Sequence, residues 1–221
     1  MNEIIFLVHT LLVVFLAFGA LRMGKEALIS LTALQSVLAN FFVLKQTVLF
    51  GWTVTCSDVF AVGIMLNLNL LQEYFGKEKA RQTIWVCFFA MLFFGVMSQI
   101  HLLYRPSLND TAHLHYLSLL SPAPRLLIAS LVSFFVVQHI DLRFFAFLKN
   151  KFPKWGWGKR NLIALFNSQL LDTLLFSVLG LYGLVSSLKD IIILSFLVKM
   201  IIILSMAFFS RVSKRFVRYE V

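Results

Sequence analysis

The residues able to do chemistry in this chain are few and regularly spaced. Asn69 and Glu73 stand four residues apart, Gln138 and Asp141 three apart, and Gln169 and Asp172 three apart. Each spacing puts both members of its pair on one face of a helix. Asn161 follows Arg160, Arg125 follows Pro124, and Lys199 lies between Val198 and Met200. Asp172 is surrounded in sequence by Phe166, Leu170, Leu171, Leu174 and Phe176, so a surface position is not available to it. Lys199 is equally enclosed, and a cation in such a setting needs an acidic partner, for which Asp172 and Asp141 are the candidates. Amide side chains offer paired donors and acceptors, whereas carboxylates only accept. Such a set suits a planar heterocycle presenting an amide and an exocyclic amine, like the edge of guanine, with Phe-rich walls to stack on it. The same groups would also suit another polar solute or a proton relay.

Other chemistries are not supported. The chain has no HExxH, no GxSxG, no Walker A loop and no plausible Ser–His pair, so neither enzymatic activity nor a cofactor is expected. His113 and His115 form an HxH in a stretch bounded by Pro106, Pro122 and Pro124, which fits a solvated loop better than a metal site. His139 is three-residue-phased with neither Gln138 nor Asp141 and fits a packing hydrogen bond better than a proton relay. Cys56 and Cys87 form no CxxC and are expected to be small apolar fillers.

The elements that must carry these residues are membrane helices. Of 221 residues, 60% are hydrophobic and only 14% charged, and Phe alone occurs 24 times. The mean hydropathy is +0.87. Soluble domains are about half apolar and a quarter charged, so this chain could not cover itself in water. Seven segments are long enough to span about 30 Å of hydrocarbon: 3–22, 27–44, 57–75, 82–104, 125–147, 161–186 and 190–209. The third is the least apolar; Ser57 and Asp58 look like its N-cap. The first has no basic flank ahead of it and is long for a cleaved signal, so it is expected to be retained.

Net charge is +10, but the basic residues occupy short connections, which speaks for topology rather than nucleic-acid binding. With seven crossings, fifteen of the twenty Lys and Arg fall on one side: Arg22, Lys25, the 77–81 group, the 143–160 group and the tail from Arg211. Positive connections stay in the cytoplasm. The expected fold is therefore an all-α, polytopic membrane bundle of one domain, with the N-terminus outside and the C-terminus inside.

The chain resembles the queuosine precursor transporters, formerly called vitamin uptake transporters. That family shows D-x-x-x-E-x-[YF]-G-x-x-x-A-R at a helix end, and here residues 69–81 read Asn-Leu-Leu-Gln-Glu-Tyr-Phe-Gly-Lys-Glu-Lys-Ala-Arg. Its P-R-x-x-x-A-S followed by an amide and an acid matches Pro124-Arg125, Ala129-Ser130, Gln138 and Asp141. Its R-N and then Q-x-x-D-T match Arg160-Asn161 and Gln169 to Thr173, and Lys199 and Asn40 match a last-helix Lys and a second-helix Asn. The likeness covers about residues 27–215, a six-helix core, leaving the helix within 1–24 as an addition. Asn69 stands where the family usually has Asp.

The resemblance implies a multi-pass protein of the inner membrane that imports 7-deazaguanines: the nitrile or aminomethyl precursors, or queuine. It implies a substrate site of Asn69, Glu73, Arg125, Gln138, Asp141, Asn161, Gln169, Asp172 and Lys199, with Asp172, Gln169, Asp141 and Lys199 converging from three helices. The lipid bilayer and a small 7-deazapurine are then the partners, nucleic acid is not, and homo-oligomerisation is open. Two other roles compete: a substrate-capturing subunit served by a separate ATP-driven module, and a membrane assembly protein without transport.

Overall fold

A computed structural model describes residues 1–42, 45–49, 52–55, 57–121, 124–182, 188–189, 192–193, 195–200 and 203–204. Helix α1 (Asn2–Met23) and α2 (Lys25–Phe42) are separated by Gly24 alone, and α3 (Asp58–Phe75) and α4 (Lys77–Leu102) by Gly76 alone. Both glycines have positive φ, 110° and 90°, a backbone state that a Cβ disfavours, so a single residue suffices to end one helix and start the next. In consequence Lys77, Lys79 and Arg81, expected in a connection, lie in the first turns of α4. A short α5 (His113–Leu120) follows, then α6 (Pro124–Lys151) and α7 (Trp157–Phe176), whose last turn widens into a π-helical segment at Ser177–Leu181. Residues 195–200, which hold Lys199, are helical.

The structure departs from the sequence expectation at three places. Two antiparallel strands, β1 (Gln46–Leu49) and β2 (Trp52–Thr55), pair between α2 and α3, with Thr47 opposite Val54 and Leu49 opposite Trp52. Thr, Val and Trp favour this extended pairing over a bare loop. The HxH stretch is not an open loop either: His113 begins α5, and Asp110 Oδ1 accepts from the backbone amides of Ala112 and His113. Finally, the sixth expected span begins four residues early, at Trp157, and leaves α geometry at Ser177. Cys56 and half of the expected last helix lie outside the described residues.

The described residues contain four helices that are long and apolar enough to cross a membrane: Asn2–Met23, Lys77–Leu102, Ile128–Lys151 and Trp157–Gly180. Helix α4 shows why. Its buried face mixes small residues (Ala80, Thr83, Cys87, Gly95, Ser98) with Ile84 and Met91, while Trp85, Phe89, Phe93 and Met97 stand exposed on the other. A row of large apolar side chains turned outward is what lipid accommodates and water disfavours.

Helix α3 fails that apolarity test because it faces protein. Every residue from Val62 to Gln72 is buried, and α1, α2, α4, α6 and α7 pack around it. Its Asn67 donates to Gln35 Oε1 of α2 at 3.1 Å. At Gly63 the fit is closest: an added Cβ would stand 2.7 Å from Val13 Cγ1 and 2.9 Å from Gln35 Oε1. Gly63→Ala should therefore push α1 and α2 away from α3 and cost about 1–3 kcal/mol. A lowered melting temperature of the purified protein would show it; an unchanged one would mean that Val13 and Gln35 yield freely.

Side-chain contacts set the helix directions. Asn2, at the start of α1, donates to Thr47 Oγ1 and Val48 O of the hairpin that follows α2, so these ends lie together. Arg125, at the start of α6, donates to the carbonyls of Leu179 and Tyr182 beyond α7. At the opposite end, Glu73 of α3 meets Lys149 of α6 and Arg160 of α7.

Candidate functional site

Helices α3 and α7 run antiparallel, and their facing side chains pair in order. Glu73 Oε1 accepts from Arg160 Nη2 at 2.8 Å, with Lys149 Nζ at 3.4 Å from the other oxygen. Four residues back along α3 and one along α7, Asn69 Nδ2 donates to Asn161 Oδ1 at 2.8 Å. One turn further, Gln169 Nε2 meets Met65 Sδ at 2.9 Å. At the far end Lys199 Nζ lies 2.6 Å from Asp172 Oδ2 and 3.7 Å from Asp58 Oδ1. An ionic contact thus closes each end of the pair, with about 20 Å of helix and only neutral side-chain contacts between the two ends.

Helix α6 completes the interior from the side. Ser168 Oγ donates to Asp141 Oδ1. Gln72 Nε2 donates to the carbonyl of Leu142 at 3.3 Å. Gln138, one turn from Asp141, is buried on the same helix. Asp141 is fully buried, and among the described residues no Lys or Arg forms an ion pair with it. Among the described residues its Oδ2 has no hydrogen-bond partner, and neither do Asn69 Oδ1, Gln138 Oε1, Gln169 Oε1 and Thr173 Oγ1. Buried oxygens of this kind are normally satisfied. What they ask for is a group rich in N–H donors.

Of the nine residues singled out from sequence, eight are joined through α7 and its two neighbours, or in the case of Gln138 lie buried one turn from a joined residue. Arg125 is not among them: it is exposed, and its guanidinium donates to the backbone carbonyls of Leu179 and Tyr182 beyond the end of α7. Lys199 does find Asp172, but its second acid is Asp58, not Asp141. Asp58 went unnoticed because its position before an apolar run fits an N-cap. The signal was present nonetheless: Asp58, Met65, Asn69 and Gln72 follow the spacing of one helical face. Ser168, four residues before Asp172, has no such signature in sequence.

The remaining candidates have local partners. His139 Nδ1 is 2.8 Å from the carbonyl of Phe135, and its ring packs against Phe135 and Trp85. Asn40 donates to the carbonyl of Ser36, and Cys87 is a buried free thiol. Among the described residues no group of three or more His, Cys, Asp or Glu is placed to hold a metal ion.

Against families of known proteins, residues 55–212 match the model described as "Putative vitamin uptake transporter". The chain belongs to this family. The matched region contains every charged and amide residue of the α3–α6–α7 interior together with Lys199, and begins after α1 and α2. A relative from Bacillus subtilis (strain 168), named "Probable queuosine precursor transporter", is 29% identical over 162 residues, covering 72% of this chain and 70% of the relative. No solved structure matches. The resemblance drawn from the residues 69–81, 124–141 and 160–173 is thus the family found by comparison over residues 55–212. A vitamin uptake transporter of this kind is a membrane protein, and its polar interior is enclosed by helices whose outward faces are apolar.

Proposed function

We propose that the protein imports queuosine precursors, the 7-deazaguanines, across the inner membrane by alternating exposure of the interior between α3, α6 and α7. The observation that carries this reading is Asp141: a fully buried carboxylate with one oxygen held by Ser168 and the other unpartnered. Gln138 lies one turn away on its own helix, and Gln169 is next to Ser168 on the facing one. The amine and ring N–H of a guanine edge would donate to Asp141 Oδ2, with the amide oxygens of Gln138, Gln169 and Asn69 as further acceptors. A lone carboxylate held in a nonpolar interior is costly, and a donor-rich ligand offsets that cost only when bound. The relative's name supports the solute class.

Asn69 and Asn161 form the floor of this site toward Glu73, whose pairing with Arg160 and Lys149 closes one end. Asp172 and Lys199 close the other. Alternating access then consists of parting one ionic end while the other holds. Arg125 has no part in binding. Seven crossings with the N-terminus outside place Glu73 toward the cytoplasm and Asp172 toward the exterior. Reporters fused at Met1 and at Val221 are expected on opposite sides; finding both on one side overturns the seven-crossing arrangement.

The functional test uses a cell that cannot make queuosine precursors and has no other importer. Expressing this chain and feeding the nitrile, the aminomethyl compound or queuine separately should restore queuosine to tRNA for at least one of them. No restoration by any, with the protein present in the membrane, would rule the reading out.

A further inference from the structure

We propose that Asp58, Lys199 and Asp172 form a proton-binding site that drives uptake, one proton entering with each solute; this rests on the import reading above. Lys199 is one cation shared by two carboxylates: its side chain is 5% exposed, against 13% for Asp58 and 21% for Asp172. With all three ionised the group carries one surplus negative charge inside the bundle. A surplus charge in such a setting is strongly disfavoured, so the group holds one more cation to be neutral. Lys199 Nζ already fills the space between the acids, and a metal ion needs several oxygens around it. A proton needs one. The contact distances say where it sits: Asp172, at 2.6 Å, is the anion that pairs with Lys199, and Asp58, at 3.7 Å, carries the proton.

Nothing else described competes for the group. On α1, His9 packs edge-on against the ring of Phe60. On α2, Lys25 and Glu26 pair with each other near Gly24, at the other end of the helix. On α4, His101 contacts the rings of Tyr104 and Tyr116. On α6, Arg125 serves two carbonyls and Asp141 is held by Ser168. On α7, Arg160 is engaged by Glu73 at the opposite end. Asp190 lies outside the described residues.

The cycle follows from the topology. Asp58 begins α3 directly after the hairpin, at the end assigned to the exterior, so its carboxylate takes a proton from outside. Protonation removes the surplus charge and lets the solute-loaded bundle turn inward. Release of that proton to the cytoplasm restores the anion and resets the outward state. Driving accumulation thus requires the second acid; moving solute down its own gradient does not.

The full-length protein, purified and placed in liposomes, gives two independent readouts. Infrared titration without solute should show a protonated-carboxyl band lost in Asp58→Asn, restored in Asp58→Glu, and separate from any band lost in Asp141→Asn. If Asp58→Asn and wild type give the same band across the pH range, the triad binds no proton and the proposal fails. The second readout is uptake of labelled queuine and of its nitrile and aminomethyl relatives. A gradient one pH unit more alkaline inside should accumulate the transported compound about tenfold, the ratio that one proton per solute allows. Asp58→Asn should lose that accumulation but keep exchange of labelled for unlabelled solute, and Asp58→Glu should retain both. Accumulation that follows a sodium gradient instead, or that survives in Asp58→Asn, overturns proton coupling. If no compound exchanges at all, the import reading fails, while the infrared titration still decides whether the triad holds a proton.

Discussion

Replacing Lys199 with Met is expected to be the most damaging single change in the polar interior, more damaging than replacing either of its acids. The substitution leaves Asp58 and Asp172 facing one another without a cation, in a place where neither can reach bulk water freely. Removing one side of a buried ion pair costs about 3–5 kcal/mol, so most of the protein should fail to accumulate. Asp172→Asn is milder for a reason visible only with Asp58 in view: Lys199 keeps one carboxylate, and the group stays neutral once Asp58 gives up its proton. The triple change of Lys199→Met with Asp58→Asn and Asp172→Asn removes every charge and should recover abundance, but not uptake against a gradient. Quantifying monodisperse protein in detergent for the three variants checks this order. Equal abundance of Lys199→Met and wild type would show that the contact carries no stability. Loss of abundance in Asp172→Asn as severe as in Lys199→Met would mean that Asp58, at 3.7 Å, does not neutralise Lys199.

The second large effect is on transport, and its sign on stability is opposite. Asp141→Asn should lower initial uptake by about tenfold to a hundredfold while leaving the melting temperature unchanged or raised. The substitution removes a buried carboxylate that has a hydroxyl donor and no cation partner, so the fold loses a cost and little else. The ligand, in contrast, loses an acceptor and meets a new N–H₂ at its own donors, a mismatch worth about 1–3 kcal/mol. A structural role for Asp141 forecasts the reverse pairing, lower stability with normal uptake in the protein that survives. Ser168→Ala is the companion measurement. It frees Asp141 Oδ1 without changing charge, so it should weaken uptake less than Asp141→Asn does.

Much of this was legible in the sequence because lipid makes polar residues conspicuous. The positions of α1, α2, α3, α4 and α6 follow from apolar runs, and the runs of α1 and α3 end at a glycine and that of α6 at Lys149 and Lys151. The pairs Gln138 with Asp141 and Gln169 with Asp172 follow from helical phase alone, as does the need of Lys199 for an acid. The hairpin was missed because eight residues of Thr, Val, Trp, Leu and Gln between two long spans look like any connection. Arg125 can be read two ways from sequence, because a charged residue at the mouth of a span looks the same whether it binds solute or caps a helix. Only the folded chain shows that its guanidinium donates to the carbonyls of Leu179 and Tyr182.

The sequence by itself determined that the chain is a membrane protein, which helices carry polar side chains, and which side chains share a face of each helix. Those properties depend on local composition and on the 3.6-residue repeat, and both are written along the chain. It could not determine which helix is the centre or which partner each polar group takes. Helix α3, the least apolar of the expected spans, is the one that the others surround, so its polarity marks burial in protein and not weak membrane affinity. The choice of Asp58 over Asp141 for Lys199, and of Ser168 for Asp141, was decided by how α3, α6 and α7 rotate about their axes when they pack. Contacts between residues such as Asp141 and Ser168, or Asp58 and Lys199, arise from fitting whole helix surfaces together, and no spacing along one helix encodes them.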